Sequence, residues 1–114
     1  MSWLKTITAL VVGTGLASSA AAEDAKPRDS RTLYNLKCAL CHGKDGAPSP
    51  VFVKKGVLSL RDAEWQAARS DAQIRKTIMD GSAETLMRGF KDEMSAVEID
   101  AIVAFVRKFR PPKP

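Results

Sequence analysis

The chain has 114 residues, with 18 basic and 13 acidic side chains and a formal net charge of +5. This length is sufficient for one ordinary domain and no more. Although the chain is basic, its Lys and Arg residues are scattered and aromatic residues make up only 6% of the sequence. No groove-binding motif is present, so we expect no nucleic-acid partner.

The first 22 residues have the three features of a secretory signal peptide. Lys5 supplies a positive charge, residues 7–17 are nearly all apolar or small, and residues 20–22 are three alanines suited to cleavage. The apolar stretch is shorter than a transmembrane helix requires, although an uncleaved anchor is the alternative. We predict export with a cleaved leader at 1–22, a single domain at 23–114 and no transmembrane segment in the mature chain.

A first helix is predicted to begin at Asp29 or Ser30, because either residue can cap a helix N-terminus. Its C-terminal end is predicted to carry the segment 38–42. The apolar face of this helix is predicted to consist of Leu33, Leu36 and Leu40.

The segment Cys38-Ala39-Leu40-Cys41-His42 has the pattern of a covalent attachment site for a c-type haem. Cys38 and Cys41 would each form a thioether with one vinyl group, and His42 would bind the iron through an imidazole nitrogen. A redox-active or structural disulfide is less favoured because no βαβ pattern surrounds the motif. A zinc site is less favoured because structural zinc needs four ligands, and the chain has two cysteines and one histidine.

The segment from 43 to 61 is dense in Gly and Pro at its start. A loop of this length is unusual in a compact domain unless it wraps around something, and we predict that it wraps around the haem. Residues 51–53 are a candidate short strand, although no other segment resembles a partner for them.

Two further helices are predicted in the middle of the chain. Residues 62–68 resemble a short helix. Ser70 opens the next helix because it forms a capping box with Gln73, and Gly81 is suited to its C-terminal cap. Residues 82–92 are predicted to form a second loop.

The last helix has the clearest pattern in the sequence. Ser95 and Glu98 form another capping box, and Met94 can form a hydrophobic staple with Ile99. The prolines at 111 and 112 are predicted to stop the helix. Apolar residues recur at i, i+3, i+4 and i+7 and predict a core-facing stripe made of Ile99, Ile102, Val103 and Val106.

A distal iron ligand has to be something other than histidine, because the chain contains only one. The choices are a methionine, an amine such as lysine, or an open position. Met1 leaves with the leader, Met79 is predicted inside a helix, and Met94 is explained by the staple. Met87 lies in a predicted loop and is therefore the favoured ligand, with a sulfur that would raise the reduction potential.

Over nearly all of residues 23–114, the sequence resembles the small monohaem class I cytochromes c of bacteria. The resemblance rests on Leu-Tyr before Cys38, on Cys-Ala-Leu-Cys-His-Gly, on Met-Arg-Gly-Phe at 87–90, and on Glu-Ile-Asp-Ala-Ile-Val-Ala-Phe-Val-Arg near the C-terminus. It implies an all-α class I cytochrome c fold, with helices and loops wrapped around one covalent haem. The first and last helices would cross near the attachment motif.

The resemblance also implies roles for individual residues. Met87 matches the distal ligand of the family. A proline carbonyl accepts the second N–H of the proximal histidine in that family, and of Pro48 and Pro50 we favour Pro50. Trp65 resembles a tryptophan near the haem propionates, although an ordinary core aromatic is the alternative.

Two residues depart from the family pattern. Ser30 occupies a position that is usually glycine where the first and last helices touch. Arg88 replaces the proline that usually follows the distal methionine. Because proline restricts the backbone, we expect its absence to leave the Met87 loop more mobile.

The function implied is that of a periplasmic single-electron carrier, and not of an enzyme. Loss of Lys5 with the leader lowers the net charge to +4, which favours redox partners with acidic surfaces. The rival functions are a gas sensor or peroxidatic subunit with a labile distal methionine, and a fixed subunit of a periplasmic dehydrogenase or respiratory complex. Candidate basic residues around an exposed haem edge are Lys44, Lys54, Lys55, Arg88 and Lys91.

Overall fold

A computed structural model describes residues 26–113, together with the isolated positions Ala9 and Gly13. The predicted signal peptide at 1–22 therefore lies outside the described residues, apart from those two positions. Within 26–113 the chain is helical and has no strand, as the predicted all-α class requires. The helices are α1 (Ser30–Lys37), α2 (Ala39–His42), α3 (Pro50–Lys54), α4 (Ala63–Ala68), α5 (Asp71–Asp80) and α6 (Ala96–Arg107).

Helix α1 begins after Asp29, whose carboxylate accepts a hydrogen bond of 3.1 Å from the Thr32 N–H. Leu33 is fully buried as predicted, but Leu36 is 71% exposed and Leu40 is 81% exposed. The predicted apolar face was wrong because the buried face of α1 is centred on Leu33 and Tyr34. At about 100° per residue, Leu36 points well away from that centre. Leu40 follows the break in the helix after Lys37.

The segment 43–61 is not one continuous loop, because it contains α3. Ser49 is extended, and Pro50 occupies the first turn of the helix, where its fixed φ and missing N–H are tolerated. The candidate strand at 51–53 is therefore wrong, since all three residues are helical.

The predicted caps of α5 and α6 are confirmed. The Ser70 hydroxyl accepts from the Gln73 N–H at 3.1 Å, while the Gln73 side chain accepts from the Ser70 N–H at 2.9 Å. Ser95 and Glu98 form the same box at α6. Gly81 ends α5 with a φ of 76°, a left-handed conformation that glycine adopts without strain.

Helix α6 ends at Arg107. It therefore ends before the prolines at 111 and 112, which were predicted to stop it. After the helix, residues 108–110 continue as turns with hydrogen bonds to residues 105–107, and the Phe109 ring packs against Tyr34, with ring centroids 5.3 Å apart. Phe109 also lies against Gly46, where a Cβ atom would be 2.8 Å from the ring. The chain therefore changes from α-helix to tighter turns before it reaches the prolines.

The core forms where α6 packs against α1 and α5. The predicted stripe on α6 is confirmed, since Ile99, Ile102, Val103 and Val106 are at most 6% exposed. Each such side chain contributes about 1.5–3 kcal/mol through burial. Met94 is also buried. No helix within 26–113 is long and apolar enough to cross a membrane.

Candidate cofactor site

The cysteine and histidine motif is a tight turn that Tyr34 holds at both ends. The Tyr34 carbonyl accepts from the Cys38 N–H at 2.9 Å, and the Tyr34 hydroxyl donates to the Gly43 carbonyl at 2.6 Å. Within the turn, the His42 N–H donates to the Cys38 carbonyl at 2.9 Å. The spacing of the motif therefore corresponds to one helical turn.

Both cysteines are free thiols and half-buried. Burial is the main cause, and the nearby charge of Cys41 the second cause, of the rise in the pKa of the Cys38 thiol to about 11. Because the thiolate is the reactive form in disulfide exchange, this environment does not favour a redox-active pair. Among residues 26–113, no three His, Cys, Asp or Glu side chains converge as metal ligands. The zinc alternative therefore gains no support from that part of the chain.

The His42 ring is positioned to supply a neutral nitrogen. Burial lowers its pKa, and neutral imidazole is the form that binds a metal ion. Its Nδ1 atom is buried and has no hydrogen-bond partner, which leaves a polar atom unsatisfied at a cost of about 1–3 kcal/mol.

The predicted hydrogen bond from His42 to the Pro50 carbonyl is not present in this structure, since His42 Nδ1 has no partner, and the role of Pro50 stays a prediction. Pro50 is exposed and begins α3, while Pro48 is half-buried in the preceding loop. The Gly and Pro pattern was interpreted as loop, and the structure shows instead that Pro50 begins a helix.

One cavity of about 580 Å³ brings the other predicted residues together. Its lining includes Cys38, Cys41, His42, Trp65 and Met87. The volume falls within the range of about 300–1,000 Å³ that ligand sites occupy. Much of the wall is apolar and comes from the core, through Leu60, Ile74, Ile78, Phe90, Ile102 and Val106.

Two further wall residues, Leu58 and Leu86, were missed by the sequence analysis. Both line the cavity, yet Leu58 is 45% exposed and Leu86 is 70% exposed. Large apolar side chains that are exposed at a cavity mark a surface that a ligand can cover. Their position in predicted loops, where most residues are small or polar, was the available signal.

The Met87 loop is held against α5 by its backbone. The Ser82 N–H donates to the Met87 carbonyl at 3.0 Å, and the Phe90 N–H donates to the Ile78 carbonyl at 2.8 Å. A Cβ atom at Gly81 would be 2.7 Å from the Met87 carbonyl oxygen, so the loop approaches α5 closely only because Gly81 has no side chain.

The other described methionines do not line this cavity. The Met79 sulfur accepts a hydrogen bond of 2.9 Å from the guanidinium of Arg75 on the same helix. Met94 is 4% exposed and lies in the core. Of the three, only Met87 shares a cavity with His42.

Basic side chains are frequent at this cavity. Of the predicted basic group, Lys55 and Arg88 line it, whereas Lys44, Lys54 and Lys91 are exposed elsewhere. The lining also contains Lys37, Arg69 and Lys76.

These residues fit the cofactor that the sequence predicts. The two thiols, the neutral buried imidazole and the thioether of Met87 line one largely apolar cavity. An apolar macrocycle with two covalent attachments and two axial ligands requires this set of groups.

Comparisons with known proteins agree with this chemistry. Residues 25–106 match the family model described as cytochrome c oxidase, cbb3-type, subunit III. No curated protein sequence matches the chain significantly.

Solved structures also resemble the chain. The KustC0563 c-type cytochrome is 38% identical over 74% of this chain and 100% of its own, with a TM-score of 0.68. A tyrosine-to-phenylalanine variant of Kustc0563 is 37% identical over 73% of this chain and 100% of its own, with a TM-score of 0.65. Dihydro-heme d1 dehydrogenase NirN in complex with DHE is 28% identical over 74% of this chain and 16% of its own, with a TM-score of 0.56.

Proposed function

Because this chain belongs to the cytochrome c family that matches residues 25–106, we propose that it is a periplasmic carrier of single electrons. It is a monohaem class I c-type cytochrome, with the all-α fold and the covalently attached haem c of that family. The single observation that carries the proposal is the shared cavity, which contains both thiols, His42 and Met87.

On the proximal side, Cys38 and Cys41 would form the two thioethers and His42 would bind the iron. The turn that connects these residues is fixed by Tyr34 through the Cys38 N–H and the Gly43 carbonyl. This arrangement holds the backbone of the motif in one turn, with His42 in the cavity wall.

On the distal side, Met87 would bind the iron through its sulfur. The support is its place in the cavity wall and the engagement of Met79 with Arg75 elsewhere. A neutral thioether favours ferrous iron, and the apolar wall strengthens that preference by limiting contact with water.

When bound, haem c supplies one-electron exchange between ferrous and ferric iron. The protein holds the cofactor, excludes water and presents a surface to partners. Its cavity lining contains Lys37, Lys55, Arg69, Lys76 and Arg88, a group that would attract acidic partner surfaces and accelerate encounter. We propose that no substrate is transformed at the iron.

A fixed subunit of a larger redox assembly is the second candidate function. The description of the matching family names an oxidase subunit. In NirN, the part that is similar to this chain makes up 16% of a longer protein. The sensor alternative depends on a mobile Met87 loop. The ion pair between Arg88 and Glu93 would restrain the Met87 loop, so we favour the carrier function.

Replacement of Met87 by Ala tests the distal assignment. Loss of a soft neutral ligand should lower the reduction potential by on the order of 0.1 V, within the roughly 0.8 V that axial ligands span. The measurement is a spectroelectrochemical titration of the matured protein. Met79→Ala is the matched control, since its sulfur contacts Arg75, and it should leave the potential nearly unchanged. Equal effects of the two variants would contradict the assignment.

A further inference from the structure

Glu93 joins two earlier segments of the chain that are distant from each other in sequence. One carboxylate oxygen accepts a hydrogen bond of 3.1 Å from the Lys37 ammonium group, and the other pairs with the Arg88 guanidinium. The Glu93 backbone carbonyl also accepts from Arg28 at 2.7 Å. Three cations therefore meet at one residue in the turn before α6.

The position of the two side-chain partners gives this contact its significance. Lys37 is the last residue of α1 and directly precedes Cys38, whereas Arg88 directly follows Met87. Both cations line the cavity. A single carboxylate thus connects the segment that carries the attachment motif with the loop that carries the proposed distal ligand.

Arg88 has further contacts that fix its position. Its guanidinium carbon lies 4.4 Å from the centre of the Phe90 ring, and its backbone forms a β-bridge with Gly81. A mobile loop was expected because Arg88 replaces a proline. Instead, the side chain supplies a restraint that a proline ring would have supplied through the backbone.

We propose that Lys37, Glu93 and Arg88 form a clasp that positions Met87 and slows its departure from the iron. The proposal rests on the His42 and Met87 ligation proposed above. The Arg88 side chain is 60% exposed, whereas those of Lys37 and Glu93 are 25% and 34% exposed, so solvent screens the Lys37 and Glu93 pair less than a fully exposed pair.

Glu93→Gln tests the clasp because it keeps the size of the side chain and removes its charge. The probe is imidazole, added in saturating amounts to the ferric holoprotein at pH 8, where imidazole is mostly uncharged. The rate of the visible spectral change then reports departure of the Met87 sulfur. We expect this rate to rise about two- to five-fold, the range that exposed ion pairs support.

Matched variants separate the clasp from a general loss of surface charge. Asp100→Asn breaks another partly exposed ion pair, with Arg75 at 2.7 Å, and should leave the rate unchanged. Arg88→Gln removes one of the two ion pairs and should raise the rate by no more than Glu93→Gln, which removes both, so the double variant should be no faster than Glu93→Gln alone. Additive effects of the two single variants would overturn the clasp.

Salt provides an independent readout. Added sodium chloride should raise the wild-type rate by screening the clasp and should change the Glu93→Gln rate much less. In Met87→Ala no sulfur has to leave the iron, so imidazole should bind without the slow spectral change seen in the wild type. If this is observed while Glu93→Gln behaves like Asp100→Asn, the clasp is wrong and the ligation stands. If Met87→Ala still shows the slow spectral change, the ligation itself is wrong.

Discussion

Tyr34 serves both the core and the cofactor site. Its ring is fully buried and lies 4.8 Å from the Phe105 ring, while its hydroxyl donates to the carbonyl of Gly43, the residue after His42. Burial raises the Tyr34 pKa, so the hydroxyl remains a donor throughout the neutral range. One side chain therefore links core packing to the orientation of the attachment turn.

Replacement of Tyr34 by Phe should remove that link and leave the ring in place. We expect the free energy of unfolding of the holoprotein to fall by about 0.5–1.5 kcal/mol, the usual net value of one hydrogen bond. Denaturant titration measures the change. Asn35→Ala, at the exposed next position of α1, should change it by less than about 0.5 kcal/mol. Equal stability of Tyr34→Phe and the wild type would contradict the role of the hydroxyl.

Residues whose chemistry depends on local spacing could be predicted from the sequence. Cys38, Cys41 and His42 form a pattern within five positions, and the structure places all three in one cavity. The role of Pro50 stays a prediction, and the sequence did not reveal that this residue begins α3. Nothing in the sequence predicted that Gln66 is a core residue. It is 2% exposed and its side chain donates to the Leu60 carbonyl at 2.7 Å.

At the scale of helices, capping was predictable and long-range anchoring was not. Glu98 closes the α6 capping box by accepting from the Ser95 N–H at 2.9 Å, a contact three residues apart. The same carboxylate binds the Arg28 guanidinium at 2.8 Å, across 70 positions of sequence. Capping rules reveal the first contact because it is local, whereas the second exists only after the chain has folded.

The Arg28 contact gives the protein a defined acid sensitivity. The side-chain hydrogen bond from Arg28 is the main reason that the pKa of Glu98 falls to about 2. Because the folded-state pKa lies below the unfolded value of about 4.3, Glu98 stabilises the fold fully above that unfolded value. This contribution is lost as pH falls towards 2.

Glu98→Gln should therefore be less stable than the wild type at pH 7 and should lose less stability between pH 5 and pH 2. Urea unfolding at several pH values measures both effects. Arg28→Gln removes the partner of the carboxylate and should flatten the same part of the pH profile. If the free energy of unfolding of either variant fell with pH as steeply as that of the wild type, this ion pair would not control the acid response.

At the scale of the whole molecule, the fold is organised around a cavity of about 580 Å³. A domain this small gains limited stability from an apolar core alone, so we predict that a large apolar cofactor in this cavity completes the core. The exposed Leu58 and Leu86 side chains at the cavity agree with that prediction. The shape of the cavity was not predictable, because loops from distant parts of the sequence form its wall.

The most direct test of the proposed ligation is the visible spectrum of the matured protein, oxidised and reduced, before and after addition of carbon monoxide. With His42 and Met87 both bound, we expect a low-spin spectrum that carbon monoxide does not alter. A spectral change on adding carbon monoxide to the reduced wild type would contradict a filled distal position and favour a sensor or enzyme subunit. Absence of any haem spectrum, in a host that matures other c-type cytochromes, would contradict covalent attachment at Cys38 and Cys41.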